Sequence, residues 1–150
     1  MLISGGCHCR NIAFVLSWEP EPTEISARAC TCQFCTKHGA VWTSCPRGQL
    51  RVTLREPSLV SLYSFETRTA QFHICSQCGV VPLVTSRIED HLYAVVNVNA
   101  LENLDISLPR RTSAAFQKES EQERLSRRTR HWIAHVDYAQ LESISRGTNQ

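Results

Sequence analysis

No stretch of this 150-residue chain approaches the roughly 20 consecutive apolar residues that a membrane span requires. Residues 1–6 lack the charged start and apolar run of a signal peptide, so the expected location is cytoplasmic, where thiols stay reduced. No internal repeat is visible beyond recurring cysteine clusters. Large net charge is absent too: 16 basic and 14 acidic residues leave +2, which argues for no particular partner. The charge is unevenly spread, because residues 110–130 hold seven basic against three acidic side chains. Such a segment can contact nucleic acid. The interleaved Glu119, Glu121 and Glu123 favour a solvated face of mixed charge instead.

What the chain has is cysteine. Seven of its eight fall in three clusters: Cys7-His8-Cys9, Cys30-Thr31-Cys32-Gln33-Phe34-Cys35 and Cys75-Ser76-Gln77-Cys78. A disulfide needs a particular dihedral and Cα atoms about 4.4–6.8 Å apart, which cysteines one residue apart rarely achieve with each other. Their thiolates converge readily on one zinc ion, which accepts sulfur at about 2.3 Å from four directions. No spacing here matches the usual iron–sulfur runs.

The pairs Cys7/Cys9 and Cys75/Cys78 read as two halves of one closed four-cysteine structural zinc site, clamping the N-terminus to a knuckle 66 residues on. Cys30, Cys32 and Cys35 offer three thiolates, the pattern of a catalytic zinc with an open fourth position. His38 and Cys45 are the nearby alternatives for a fourth ligand, and either would close the site. Cys45, beside Pro46, reads better as a buried, idle thiol. His8 is expected to turn away from the metal, because neighbouring side chains diverge on extended backbone. His73 reads as a strand residue rather than a donor to the metal ligands, and Trp42, Phe34 and Phe72 as core.

Short β-type runs at 11–16, 25–29, 40–44, 50–54, 59–65, 70–74, 80–86 and 91–98, separated by turn signals, predict a mainly β, antiparallel architecture. After Pro109 the texture becomes polar. Residues 117–130 suit an exposed helix or an extended tail, helped by Glu123 four residues before Arg127. Trp132–Val136 supplies apolar material that can dock back, and residues 145–150 are expected to fray.

Gly5-Gly6-Cys7-His8-Cys9, then Cys30-x-Cys32-x-x-Cys35 with Gly39-Ala40, then Phe72-His73-Ile74-Cys75-Ser76-Gln77-Cys78-Gly79, together resemble the glutathione-dependent formaldehyde-activating enzyme family, also called the CENP-V/GFA domain. The resemblance covers residues 3–110 and leaves 111–150 as a polar C-terminal extension. It implies a β-tent of small antiparallel sheets stapled by two zinc ions. One is structural, on Cys7, Cys9, Cys75 and Cys78. The other is catalytic, on Cys30, Cys32 and Cys35. The chain departs from the family pattern at Arg10, where glycine is common, at Gln33, where serine is common, and at His38, where serine or threonine is common.

The resemblance implies a carbon–sulfur lyase acting on thiol–aldehyde adducts of the S-hydroxymethylglutathione type. Its partners would be a glutathione-like thiol and formaldehyde or a related aldehyde. Three thiolates give a divalent site a net charge of −1, which weakens Lewis acidity and favours sulfur capture over carbonyl activation. Arg10, Lys37 and His38 are candidates to attract a substrate carboxylate, though solvation is the simpler role for charged side chains. The alternative function is a zinc-stapled module that binds protein or nucleic acid, since the same scaffold serves both.

Overall fold

The computed structural model describes residues 1–147. Strands dominate: β1 (Leu2–Gly6), β2 (Ile12–Ser17), β3 (Ile25–Cys30), β4 (Val41–Thr43), β5 (Gln49–Leu54) and β6 (Val60–Tyr63) come first. They are followed by β7 (Gln71–Cys75), β8 (Leu83–Ile88), β9 (His91–Asn97), β10 (Pro109–Ala114) and β11 (His135–Asp137). Among the described residues there are three α-helices, α1 (Gln33–His38), α2 (Glu121–His131) and α3 (Leu141–Gly147), and two single-turn 3-10 helices at Pro57–Leu59 and Val98–Ala100.

The mainly β expectation holds. The strands form a four-stranded sheet, β1-β2-β5-β11, and a seven-stranded sheet, β10-β3-β4-β9-β8-β7-β6. Most neighbours are antiparallel, as hairpins between short strands produce. Two pairs are parallel, β10 on β3 and β11 on β5. Both are made by late strands that return to a sheet edge by a long crossover, the connection parallel pairing demands.

The pattern of β5 shows the sheet logic plainly. Leu50, Val52 and Leu54 are buried while Gln49, Arg51 and Thr53 face solvent, so one face of the strand packs and the other is wetted. The apolar faces of both sheets meet in one core containing Ile3, Ile12, Leu16, Leu50, Leu83 and Val96. Residues beyond 110 join it: Ile133, Tyr138, Leu141 and Ile144 are all buried there. Ile133 also exchanges backbone hydrogen bonds with Ala94 of β9 at 2.9 and 3.1 Å.

α2 begins with a capping box. The Ser120 hydroxyl accepts the Glu123 N–H at 3.1 Å, and the Glu123 carboxylate accepts the Ser120 N–H at 2.8 Å. Glu121 and Glu123 lie in the first turn and Arg128, Arg130 and His131 in the last, which suits the helix dipole. Of the stretch expected to fray, Ser145 and Arg146 lie in α3, and residues 148–150 lie outside the described residues. No helix among the described residues is long and apolar enough to cross a membrane.

Candidate metal centres

The first cysteine pair follows β1. Cys7 N–H donates to the Ile12 carbonyl at 2.8 Å, and Ile12 N–H donates to Cys7 Sγ at 3.2 Å, which turns the chain tightly around the sulfur. Arg10 closes the turn at φ 67°, a left-handed conformation natural to glycine. That explains why a glycine is common at this point of the family pattern. Arg10 itself reaches back to form an ion pair with Glu102.

The second pair sits at the end of β7. Cys78 N–H donates to Cys75 Sγ at 3.4 Å, and Gly79 N–H donates to the Cys75 carbonyl at 2.8 Å with Gly79 at φ 81°. The two turns belong to different sheets, and they bring four sulfurs within 4.8 Å of one another. Cys7 and Cys9 Sγ are 3.7 Å apart, Cys9 and Cys75 Sγ 3.5 Å. A tetrahedron of sulfurs about 2.3 Å from a central ion has edges of about 3.8 Å, so the donor set fits zinc. His8 points to solvent. His73 is fully buried in the core, its ring nitrogens on the Tyr138 and Thr85 hydroxyls at 3.1 and 2.7 Å. It is a core residue of β7.

The middle cluster is built by a strand running into a helix. Cys30 ends β3, Cys32 caps α1, and Cys35 occupies its first turn, donating its N–H to Cys32 Sγ at 3.4 Å. Gly39, left-handed at φ 64°, ends the helix. The three sulfurs also lie within 4.8 Å of one another, and no fourth His, Cys, Asp or Glu joins them among the described residues. Cys45 is buried elsewhere with its thiol on the Glu19 carbonyl at 3.1 Å, and His38 is exposed with its ring against Phe34. Trp42 Nε1–H donates to Cys35 Sγ at 3.3 Å.

Ionisation in the two clusters is uneven. Burial pushes the Cys7 thiol up to about 12 and also raises Cys75. Cys78 is held down to about 6: burial opposes ionisation, but hydrogen bonds from the backbone of Cys9 and Val80 outweigh it. In the second group the Cys35 thiol keeps its proton and donates to Cys30, which holds Cys30 down to about 6 against the effect of burial. Cys32 is raised by burial. Each cluster therefore has one ready thiolate beside thiols held protonated, Cys7 and Cys75 in the first and Cys32 and Cys35 in the second, and a divalent cation is what would draw off their protons.

The three-cysteine group borders a cavity of about 110 Å³. Trp42, Phe72 and Trp132 give it an apolar wall. Arg28, Arg124, Arg127 and Arg128 line it as well. Arg10, Gln33, Lys37 and His38 do not. Three residues of the basic segment thus face the cavity, which sequence reading missed. The signal was present: positions 124, 127 and 128 share one face of a helix whose start is marked by Ser120-x-x-Glu123. Glu123 caps the helix, and Arg127 pairs instead with Glu119 through three contacts of 2.9–3.2 Å while stacking on Phe116. Burial lowers Arg128 to about 10, with Arg127 and Arg124 adding to the effect.

A crystal structure of a Rhodobacter sphaeroides protein is similar to this chain, with 28% identity over 73% of this chain and 99% of that one and a TM-score of 0.54. The sequence profile described as glutathione-dependent formaldehyde-activating enzyme matches residues 2–119. Because that match spans well over half of the chain, the chain belongs to the glutathione-dependent formaldehyde-activating enzyme family.

Proposed function

We propose that the protein is a zinc-dependent carbon–sulfur lyase that makes or breaks thiol–aldehyde adducts. Membership of the family supports an enzymatic role of the formaldehyde- and glutathione-related kind. The observation that carries the finer reading is the three-cysteine group, which borders a cavity and has no fourth protein donor among the described residues. In the adduct-forming direction the thiol sulfur bonds to the aldehyde carbon. The carbonyl π pair moves to oxygen, and the thiol proton ends there.

Cys30, Cys32 and Cys35 would hold the catalytic ion, and Cys7, Cys9, Cys75 and Cys78 the structural one. A bound zinc supplies Lewis acidity and favours the thiolate form of a thiol that reaches it. The chain's own contribution is positional. The Trp42 indole N–H fixes Cys35 Sγ and draws charge from it. Phe72, Val95 and Trp132 exclude water from the reacting end of the substrate. The alternative reading, a binding module with its second zinc closed by His38 or Cys45, draws no support from the positions of those side chains.

Metal analysis and Cys32→Ser test the proposal together. The parent protein is expected to carry two zinc ions. Cys32→Ser is expected to keep one, retain its fold and form adduct from glutathione and formaldehyde only at the uncatalysed rate. A parental rate with one ion gone would remove the enzyme reading from this site.

A further inference from the structure

Charge distinguishes the cavity beside Cys30, Cys32 and Cys35. Of the four guanidiniums on its wall, two are matched: Arg127 by Glu119 at 2.9 Å, and Arg124 by Glu66 at 3.4 Å. Arg28 and Arg128 meet no carboxylate among the described residues. Their hydrogen-bond partners are neutral hydroxyls, Ser44 for Arg28 at 2.9 Å, and Thr69 and Ser86 for Arg128 at 2.7 and 3.2 Å. A hydroxyl satisfies an N–H but brings no charge.

Arg128 is only 6% exposed, and the Nε atoms of both Arg124 and Arg128 are buried without a hydrogen-bond partner. Buried charges are ordinarily paired, so the unmatched Arg128, with half-buried Arg28 also unmatched on the same wall, implies counter-charge from elsewhere. A divalent ion on three thiolates carries −1 and offsets one of them. Before a substrate binds, one positive charge is left over.

Position fits that deficit. Arg28 precedes Cys30 by two residues on β3, so both project from the same face of the strand. Arg128 rises from α2, which begins at Glu121, beyond the 2–119 span of the family profile. Size adds a second limit. An apolar cavity of about 150 Å³ takes a benzene ring, so about 110 Å³ admits a compact molecule whole but only the reacting end of a tripeptide thiol.

We propose that Arg28 and Arg128 select a compact thiol bearing its own carboxylate, which lies against their guanidiniums while the sulfur enters the three-cysteine side of the cavity. This rests on the thiol–aldehyde reading above and narrows its substrate class. Guanidinium suits the task because its planar fork of donors matches a carboxylate.

Calorimetric titration of the zinc-loaded full chain tests it, with 3-mercaptopropionate, its neutral amide and glutathione as probes. The acid is expected to bind about tenfold or more tighter than the amide, and at least as tightly as glutathione. In Arg28→Gln the acid-to-amide ratio should fall towards one, and Arg28→Lys should restore part of it. Equal binding of acid and amide by the parent would overturn the proposal and leave the thiol reading intact. Binding of none of the three thiols would remove that reading itself. Glutathione binding more tightly than the acid would overturn the compact class. An acid preference unchanged in both Arg28→Gln and Arg128→Gln would overturn the residue assignment. Should a variant fail to fold by circular dichroism, the parental ratio still decides.

Discussion

The four-cysteine group takes its ligands from two sheets and from turns 66 residues apart, whereas the three-cysteine group draws all its sulfurs from one strand–helix junction six residues long. The same side chain therefore does two different things. In the first group, four sulfurs from distant pieces of chain lie close enough to complete a tetrahedron around one ion. In the second, three donors come from one short segment and border a cavity. On the proposed reading, the difference teaches that ligand count and sequence separation, rather than residue type, divide a clamp from a reaction site.

Substitution breaks the comparison most directly at the clamp. Structural zinc contributes about 10–16 kcal/mol in small peptides, against a total stability of about 5–15 kcal/mol for a typical domain. Cys78→Ser is therefore expected to leave the chain unfolded or aggregated, while Cys32→Ser melts cooperatively. Circular dichroism melts of the two variants side by side check this, and a Cys78→Ser melt close to the parent's would reverse the assignment of the clamp.

A smaller effect sharpens the picture on the clamp side, where His73 joins β7 to Tyr138 of the C-terminal segment. Burial holds this imidazole down to about 3, against about 6.5 when exposed. Between those values the unfolded chain binds more protons than the folded one. The stability from keeping His73 neutral is thus complete above pH 6.5 and is lost as pH falls towards 3. His73→Gln is expected to cost about 1–3 kcal/mol at pH 7, because two buried hydroxyls lose their partner. Its melting temperature should then fall less steeply than the parent's between pH 6.5 and 4.5. Parallel acid slopes would show that the ring does not titrate in this way.

The smallest effect lies at Arg10. Its left-handed backbone costs a non-glycine residue about 1–2 kcal/mol, while its half-exposed pair with Glu102 returns about 0–1 kcal/mol after solvent screening. Arg10→Gly is expected to raise stability by about 0.5 kcal/mol in urea denaturation. A loss of more than about 1 kcal/mol would mean that the ion pair governs this turn.

Much of this was legible because the chemistry is written in spacing. All seven clustered cysteines, the alternation of β5 and the glycine at position 79 each have a local signature. Other parts leave none. β10 reads Pro-Arg-Arg-Thr-Ser-Ala because an edge strand needs no apolar face, and β1 holds two glycines and a serine. α1 is six residues long, too short to show a helical period. The run read as 80–86 begins as a strand only at Leu83, since residues 79–82 are leaving the metal knuckle. The arginine face of α2 was hidden differently. Its charges look solvated until the topology carries the helix over the cavity.

The spacing of the clamp also bears on how the protein is made. At about 5–20 residues per second, synthesis leaves Cys9 waiting about 3–13 s before Cys75 leaves the peptidyl-transferase centre, whereas Cys30 waits for Cys35 about a second or less. The three-cysteine group is thus the first to be complete on a nascent chain, with no finished fold around it. Until Ile133, Tyr138 and Ile144 are also made, the core that steadies both knuckles is missing. If the two groups hold zinc as proposed, a supply of the metal and of reducing power during translation follows from the order of residues along the chain.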